Sequence, residues 1–197
     1  MTLRLSVIGT GYLGATHAAC MADLGFQVIG LDVDPAKIEI LRSGTVPFYE
    51  PGLDEVLARN IAAGRLTFTT SFEEAAAFAD VHFICVGTPQ AAGAQKADMS
   101  QVFGSVESLT PHLRPGALVV GKSTVPVGTA VQIEARLAKT AADGVEVAWN
   151  PEFLREGFAV QETLHPDRLV VGGHSQRAVD LLREVKAPGV YVGMPIV

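Results

Sequence analysis

The chain has 197 residues, 15 Lys and Arg against 21 Asp and Glu, a net charge of −6, 48% apolar residues and two cysteines. That is too apolar for a disordered chain, and a negative balance with no basic run excludes the clustered cations that nucleic-acid binding needs. Cys20 and Cys85 are too few for a disulfide framework. The apolar N-terminal stretch has no basic leader or cleavage site, and no window reaches the ~18 apolar residues of a spanning helix. The expectation is a cytoplasmic protein with neither a nucleic-acid nor a membrane partner.

Short β-branched runs alternate with helically spaced stretches. In chain order the reading is strand 3–8, helix 12–24, strand 28–31, helices 35–42 and 53–63, strand 66–69, helix 72–79, strand 81–86, helix 101–109, strand 117–120, helix 127–141 and strand 145–149. Beyond Pro151 a loop-like acidic stretch precedes a strand at 169–171, a helix at 175–185 and a short run at 190–192. Residues 91–97 read as a mobile loop of small side chains. Punctuation agrees: Gly25, Gly44, Gly64 and Gly144 follow helical stretches, Asp34-Pro35 gives an N-cap and first-turn proline, and Ser71 with Glu74 gives a capping box. Repeated strand–helix units with right-handed crossovers predict an α/β fold, a Rossmann-like doubly wound, mostly parallel sheet with helices on both faces, formed as one domain over 1–197. A closed barrel needs eight units and ~250 residues.

Gly9-Thr10-Gly11-Tyr12-Leu13-Gly14 joins the first strand to the first helix. Gly9 permits the tight turn, Gly11 lets a pyrophosphate approach the backbone, and Gly14 allows close helix–strand packing. The helix start attracts phosphate without a lysine. Asp32 ends the second strand, where an acid accepts hydrogen bonds from the ribose hydroxyls and repels a 2′-phosphate, so the expected cofactor is NAD. Lys37 either reaches the same ribose or is a solvated lysine. Three later strand ends also point to ligands: Gly87-Thr88-Pro89, 122–128 and 150–157. Taken alone, Thr124 reads equally as a helix N-cap, and Glu152 with Glu156 as an ordinary helix-start pair.

The strings Phe48-Tyr49-Glu50-Pro51-Gly52-Leu53, 123–128, 150–157 and His165-Pro166-Asp167-Arg168, in this order, resemble the UDP-glucose/GDP-mannose dehydrogenase family, closer to its UDP-glucose members. The resemblance implies oxidation of a UDP-sugar C6 alcohol to a carboxylate in two NAD-dependent steps, through a cysteine-bound thiohemiacetal and thioester. It implies NAD contacts from Gly9, Gly11, Leu13, Gly14, Asp32, Lys37, Thr88, Thr124 and Glu156. Glu152 would act as general acid/base or orient the hydrolytic water, with Thr124 helping to hold it. Phe153, Leu154 and Arg155 would cradle the nucleotide sugar together with Glu152 and Glu156. The family's nucleophilic cysteine, with the lysine and asparagine of a central helix, belongs to a later part of the chain. Cys20 and Cys85 sit in apolar settings and are expected to be inert packing thiols. The expectation is therefore the N-terminal, NAD-binding portion of a longer enzyme that dimerises through its central helix. Alternatives are action on GDP-mannose or a UDP-N-acetylhexosamine, or a binding module without catalysis. No metal is expected, since the five histidines lack ligand spacing, and nucleophile-elbow and P-loop strings are missing.

Overall fold

A computed structural model describes residues 3–173 and 175–187. The expected run at 190–192 and His174 lie outside the described residues. Among the described residues, seven strands form one sheet: β1 (Arg4–Ile8), β2 (Gln27–Leu31), β3 (Leu66–Thr69), β4 (Val81–Ile84), β5 (Leu118–Gly121), β6 (Glu146–Trp149) and β7 (Gly172–Gly173). Their order is β3-β2-β1-β4-β5-β6-β7, with the first six parallel and β7 antiparallel to β6. This is the doubly wound order, whose direction of growth reverses between β1 and β4.

Alternate residues on each strand feed opposite cores. Leu5 and Val7 of β1, Phe83 of β4 and Val120 of β5 pack with α1 (Tyr12–Asp23), α2 (Pro35–Arg42), α3 (Leu53–Ala62) and α8 (Gln176–Lys186). Ile8, Ile84 and Val119 pack on the other face with α4 (Phe72–Phe78), α5 (Ser100–Leu109) and α6 (Thr129–Thr140). Burial on both faces explains why the strands read as continuous apolar runs. Two of the buried polar exceptions pair with each other: Ser6 and His82, register partners on β1 and β4, are 2.7 Å apart from hydroxyl to Nδ1.

The caps form as the residue types dictate, with one change. Asp34 Oδ1 accepts the Ala36 N–H at 2.9 Å, and Ser71 Oγ accepts the Glu74 N–H at 3.1 Å. The Glu74 carboxylate, however, takes the Thr69 hydroxyl at 2.5 Å, while the Ser71 N–H donates to Thr69 Oγ1, so only half of the capping box closes.

Four expectations shift. The strand expected at 169–171 gives way to β7 three residues on, because the Asn150 side-chain amide takes the Val170 carbonyl at 2.9 Å. Helix α6 starts at Thr129 instead of 127, behind Gly128 in the left-handed region (φ +88°). The stretch after Pro151 contains an unforeseen helix, α7 (Ala159–Leu164), which is only six residues long. Residues 91–97 are closed by a Gln90–Ala97 bridge, a 2.8 Å Ala91 N–H to Lys96 carbonyl bond and a left-handed Gly93. Among the described residues, no helix is long and apolar enough to cross a membrane.

Candidate functional site

The crevice beyond the carboxyl ends of β1 and β4 is shaped by three glycines of one turn. Gly9 has φ +87°, and a β-carbon there would lie 2.8 Å from Val86. At Gly14 a β-carbon would lie 1.8 Å from the Gly9 carbonyl oxygen, so α1 can approach the turn only with glycine in place. Gly11 has nothing within 4 Å of that position. It is the N-cap of α1, has no capping side chain, and leaves the backbone open to a ligand.

Asp32 follows β2 and is only 7% exposed. Its Oδ2 accepts the Thr10 N–H at 2.9 Å, the Thr10 hydroxyl at 3.2 Å and the Lys37 ammonium at 2.8 Å, while Oδ1 accepts the Asp34 N–H at 3.2 Å. Burial opposes its ionisation, but the Lys37 ammonium and the backbone N–H groups outweigh burial and hold the carboxyl below the usual aspartate value. Gly9, Gly11, Asp32 and Lys37 line a cavity of about 610 Å³, walled opposite by Gln101, Gly104, Ser105 and Ser108 of α5. The sequence reading passed over that wall. Its signal is the run of small residues on one face of an otherwise apolar helix.

The second group of candidates lies at the ends of β4, β5 and β6. The Thr88 hydroxyl donates to the Thr124 carbonyl at 2.9 Å, which joins two of the expected contacts. Thr124 is exposed and lies ahead of Gly128, so it does not cap α6. Ser123 is spent on the Val86 carbonyl at 2.7 Å. Trp149 packs as a strand-end residue, its indole donating to the Ser123 carbonyl at 3.1 Å and its ring filling the space a side chain at Gly121 would need. Lys122 is buried and donates to Asn150 Oδ1 at 3.1 Å; burial lowers its amine.

From Asn150 the chain folds on itself. Glu152 Oε2 accepts the Leu154 N–H at 2.7 Å, and Arg155 pairs with Glu162 through its backbone N–H at 2.8 Å and Nε at 2.5 Å. Glu152, Phe153, Leu154 and Arg155 line a cavity of about 670 Å³ with Lys122 and Lys186. Glu156 is exposed and lines neither cavity, and neither Glu152 nor Glu156 falls in the first turn of α7. Leu13, Gly14, Thr88 and Thr124 also lie outside both cavity walls. Burial pushes both thiols, Cys20 and Cys85, up to about 12. Among the described residues, no group of three or more His, Cys, Asp or Glu side chains is placed to hold a metal ion.

Comparison with known proteins places the chain among relatives. The family model described as "UDP-glucose/GDP-mannose dehydrogenase family, NAD binding domain" matches residues 3–189. A UDP-glucose 6-dehydrogenase of Rhizobium meliloti (strain 1021) is 44% identical over 190 residues, 94% of this chain and 43% of its own length. A UDP-glucose dehydrogenase structure from Pyrobaculum islandicum superposes with a TM-score of 0.92 at 42% identity, covering 100% of this chain and 46% of that one. A Pseudomonas aeruginosa GDP-mannose dehydrogenase follows at 0.90 and 35% identity, covering 99% and 46%. The chain thus spans less than half the length of these relatives.

Proposed function

Because the chain belongs to the UDP-glucose/GDP-mannose dehydrogenase family and carries its NAD-binding domain, we propose that residues 1–197 form the NAD-binding domain of an enzyme oxidising UDP-glucose to UDP-glucuronate. NAD when bound supplies the oxidant, accepting a hydride at each of two steps. The residues present fit it. The open backbone at Gly11 receives the diphosphate, and the nearly buried Asp32 carboxylate, held by Lys37 and Thr10, receives the ribose hydroxyls. Asp32 beside that turn is the observation that carries the cofactor reading. Leu13, Gly14, Thr88, Thr124 and Glu156 complete the contacts we assign to NAD.

In the second cavity we assign Glu152 the role of taking a proton from, or orienting, the water that releases the product, and to Thr124, which stands outside the cavity wall, the role of helping to hold that water. Phe153, Leu154, Arg155 and Glu156 hold the nucleotide sugar. The nucleophile is not Cys20 or Cys85, since a thiol held near 12 offers almost no thiolate at neutral pH. It comes from a portion of the enzyme outside this sequence, and the complete protein works as a cytoplasmic homodimer. The test offers UDP-glucose, GDP-mannose and UDP-N-acetylhexosamines with NAD to the full-length protein and to this chain alone. Reduced nicotinamide should form only with the full-length protein and UDP-glucose, at two equivalents per sugar. Turnover by this chain alone, or a clear preference for another sugar, overturns the corresponding part.

A further inference from the structure

Glu50 lies in the connection between α2 and α3 and lines neither cavity, yet it is only 5% exposed. Its Oε2 accepts the Tyr12 hydroxyl at 2.5 Å and the Gly157 N–H at 2.8 Å, and its Oε1 accepts the Val160 N–H at 3.3 Å. These donors come from two separate places. Tyr12 follows Gly11 in the first turn of α1, its ring packed on Phe48 with centroids 5.2 Å apart. Gly157 ends the 150–157 segment, and Val160 stands at the start of α7. A buried carboxylate is tolerated only when donors satisfy it, so both segments are held to one point. Burial and Glu50 itself raise the Tyr12 phenol to about 12, so it remains a donor at working pH.

We infer that Glu50 is a positioning residue linking the glycine-rich turn to the 150–157 segment, so that occupancy of one site changes affinity at the other. One carboxylate oxygen bonds to both segments, and a shift of either displaces the other's partner. The inference rests on the reading above, in which the turn holds NAD and the segment holds the nucleotide sugar. A mere cap for the short α7 would stabilise the fold without connecting two ligands.

Calorimetric titration of NAD into the full-length protein, with and without saturating UDP-glucose, tests this. The natural protein should show affinities differing about fivefold or more between the two conditions, within the usual range of coupling between sites. Tyr12→Phe keeps the ring and leaves Glu50 bonded to Gly157 and Val160, breaking only the link. Its NAD affinity without sugar should stay within about twofold of the natural protein, while the sugar-induced change falls below about twofold. Glu50→Gln should lose the coupling as well, and the double variant should lose no more than either alone. Full coupling retained in Tyr12→Phe overturns the inference, as does a natural protein that binds both ligands independently. A natural protein that binds NAD but no UDP-glucose instead overturns the substrate reading beneath it.

Discussion

Replacing Asp32 by Asn preserves the shape of the side chain and removes its charge, and the two dinucleotides should respond in opposite directions. The carboxylate is 7% exposed and already anchored by Thr10 and Lys37, so in the role proposed for it, it would meet the ribose without further ordering. A hydrogen bond to a charged acceptor is worth about 1.5–3 kcal/mol net. Asn still accepts a hydrogen bond, so only the extra worth of the charge, about 1–1.5 kcal/mol, is lost, and NAD binding weakens by about 5- to 13-fold. A 2′-phosphate brings roughly −1.5 to −2 charges toward the same place, so NADP gains when the carboxylate goes, and Lys37, released from its 2.8 Å ion pair, becomes its counter-ion. The preference for NAD should therefore fall by more than the loss in NAD affinity alone. Parallel titrations of both dinucleotides into the natural and Asp32→Asn proteins, with thermal unfolding to verify the fold, measure it. An unchanged NAD-to-NADP ratio in a folded variant, or equal binding of both by the natural protein, refutes the argument.

The glycines of the turn separate packing from binding. Gly14→Ala places a β-carbon 1.8 Å from the Gly9 carbonyl and should cost about 1–3 kcal/mol or more, seen as a fall in Tm; Gly11→Ala, with open space around it, should keep its Tm but lose NAD affinity in titration. Burial holds the His82 imidazole down to about 4 from 6.5. The unfolded chain takes up a proton that the folded one refuses, so stability is lost as pH falls from 6.5 toward 4, by about 3 kcal/mol over the whole window. Urea unfolding at neutral pH and at about pH 5 should show a smaller drop in His82→Gln than in the natural protein; equal drops would remove His82 as a cause. A thiol reagent should label neither Cys20 nor Cys85 in the native protein and both after unfolding; rapid native labelling would contradict their burial.

What the sequence made legible follows from how local each signal is. The strand of residues 66–69 and the helix of residues 35–42 came out with their boundaries intact, because β-branched runs, a proline at the first helical position and an aspartate cap act within a few residues. The Gly9–Gly14 turn and Asp32 were equally readable, since backbone freedom and one carboxylate define them. Helix α7 was not. It is short, and it is held from outside by Glu50, more than a hundred residues away, which no window along the chain samples. The displaced β7 has the same kind of cause, since the Asn150 side chain takes a carbonyl that a strand would have used. Lys122 and Glu50 lie within readable motifs, but their burial comes from tertiary neighbours alone.

The seat of Gly9 against Val86 has a consequence during synthesis. The wall that the glycine turn rests on leaves the ribosome 77 residues after the turn itself, with the strand that pairs on the far side of β1. At about 5–20 residues per second, that leaves the turn unsupported for roughly 4–15 s. Strands β1, β2 and β3 can pair in that interval, with one edge of β1 bare until β4 joins. The turn therefore gains its support at the same moment as that edge is covered, and a pause in translation before residue 81 would prolong exposure to neighbouring chains.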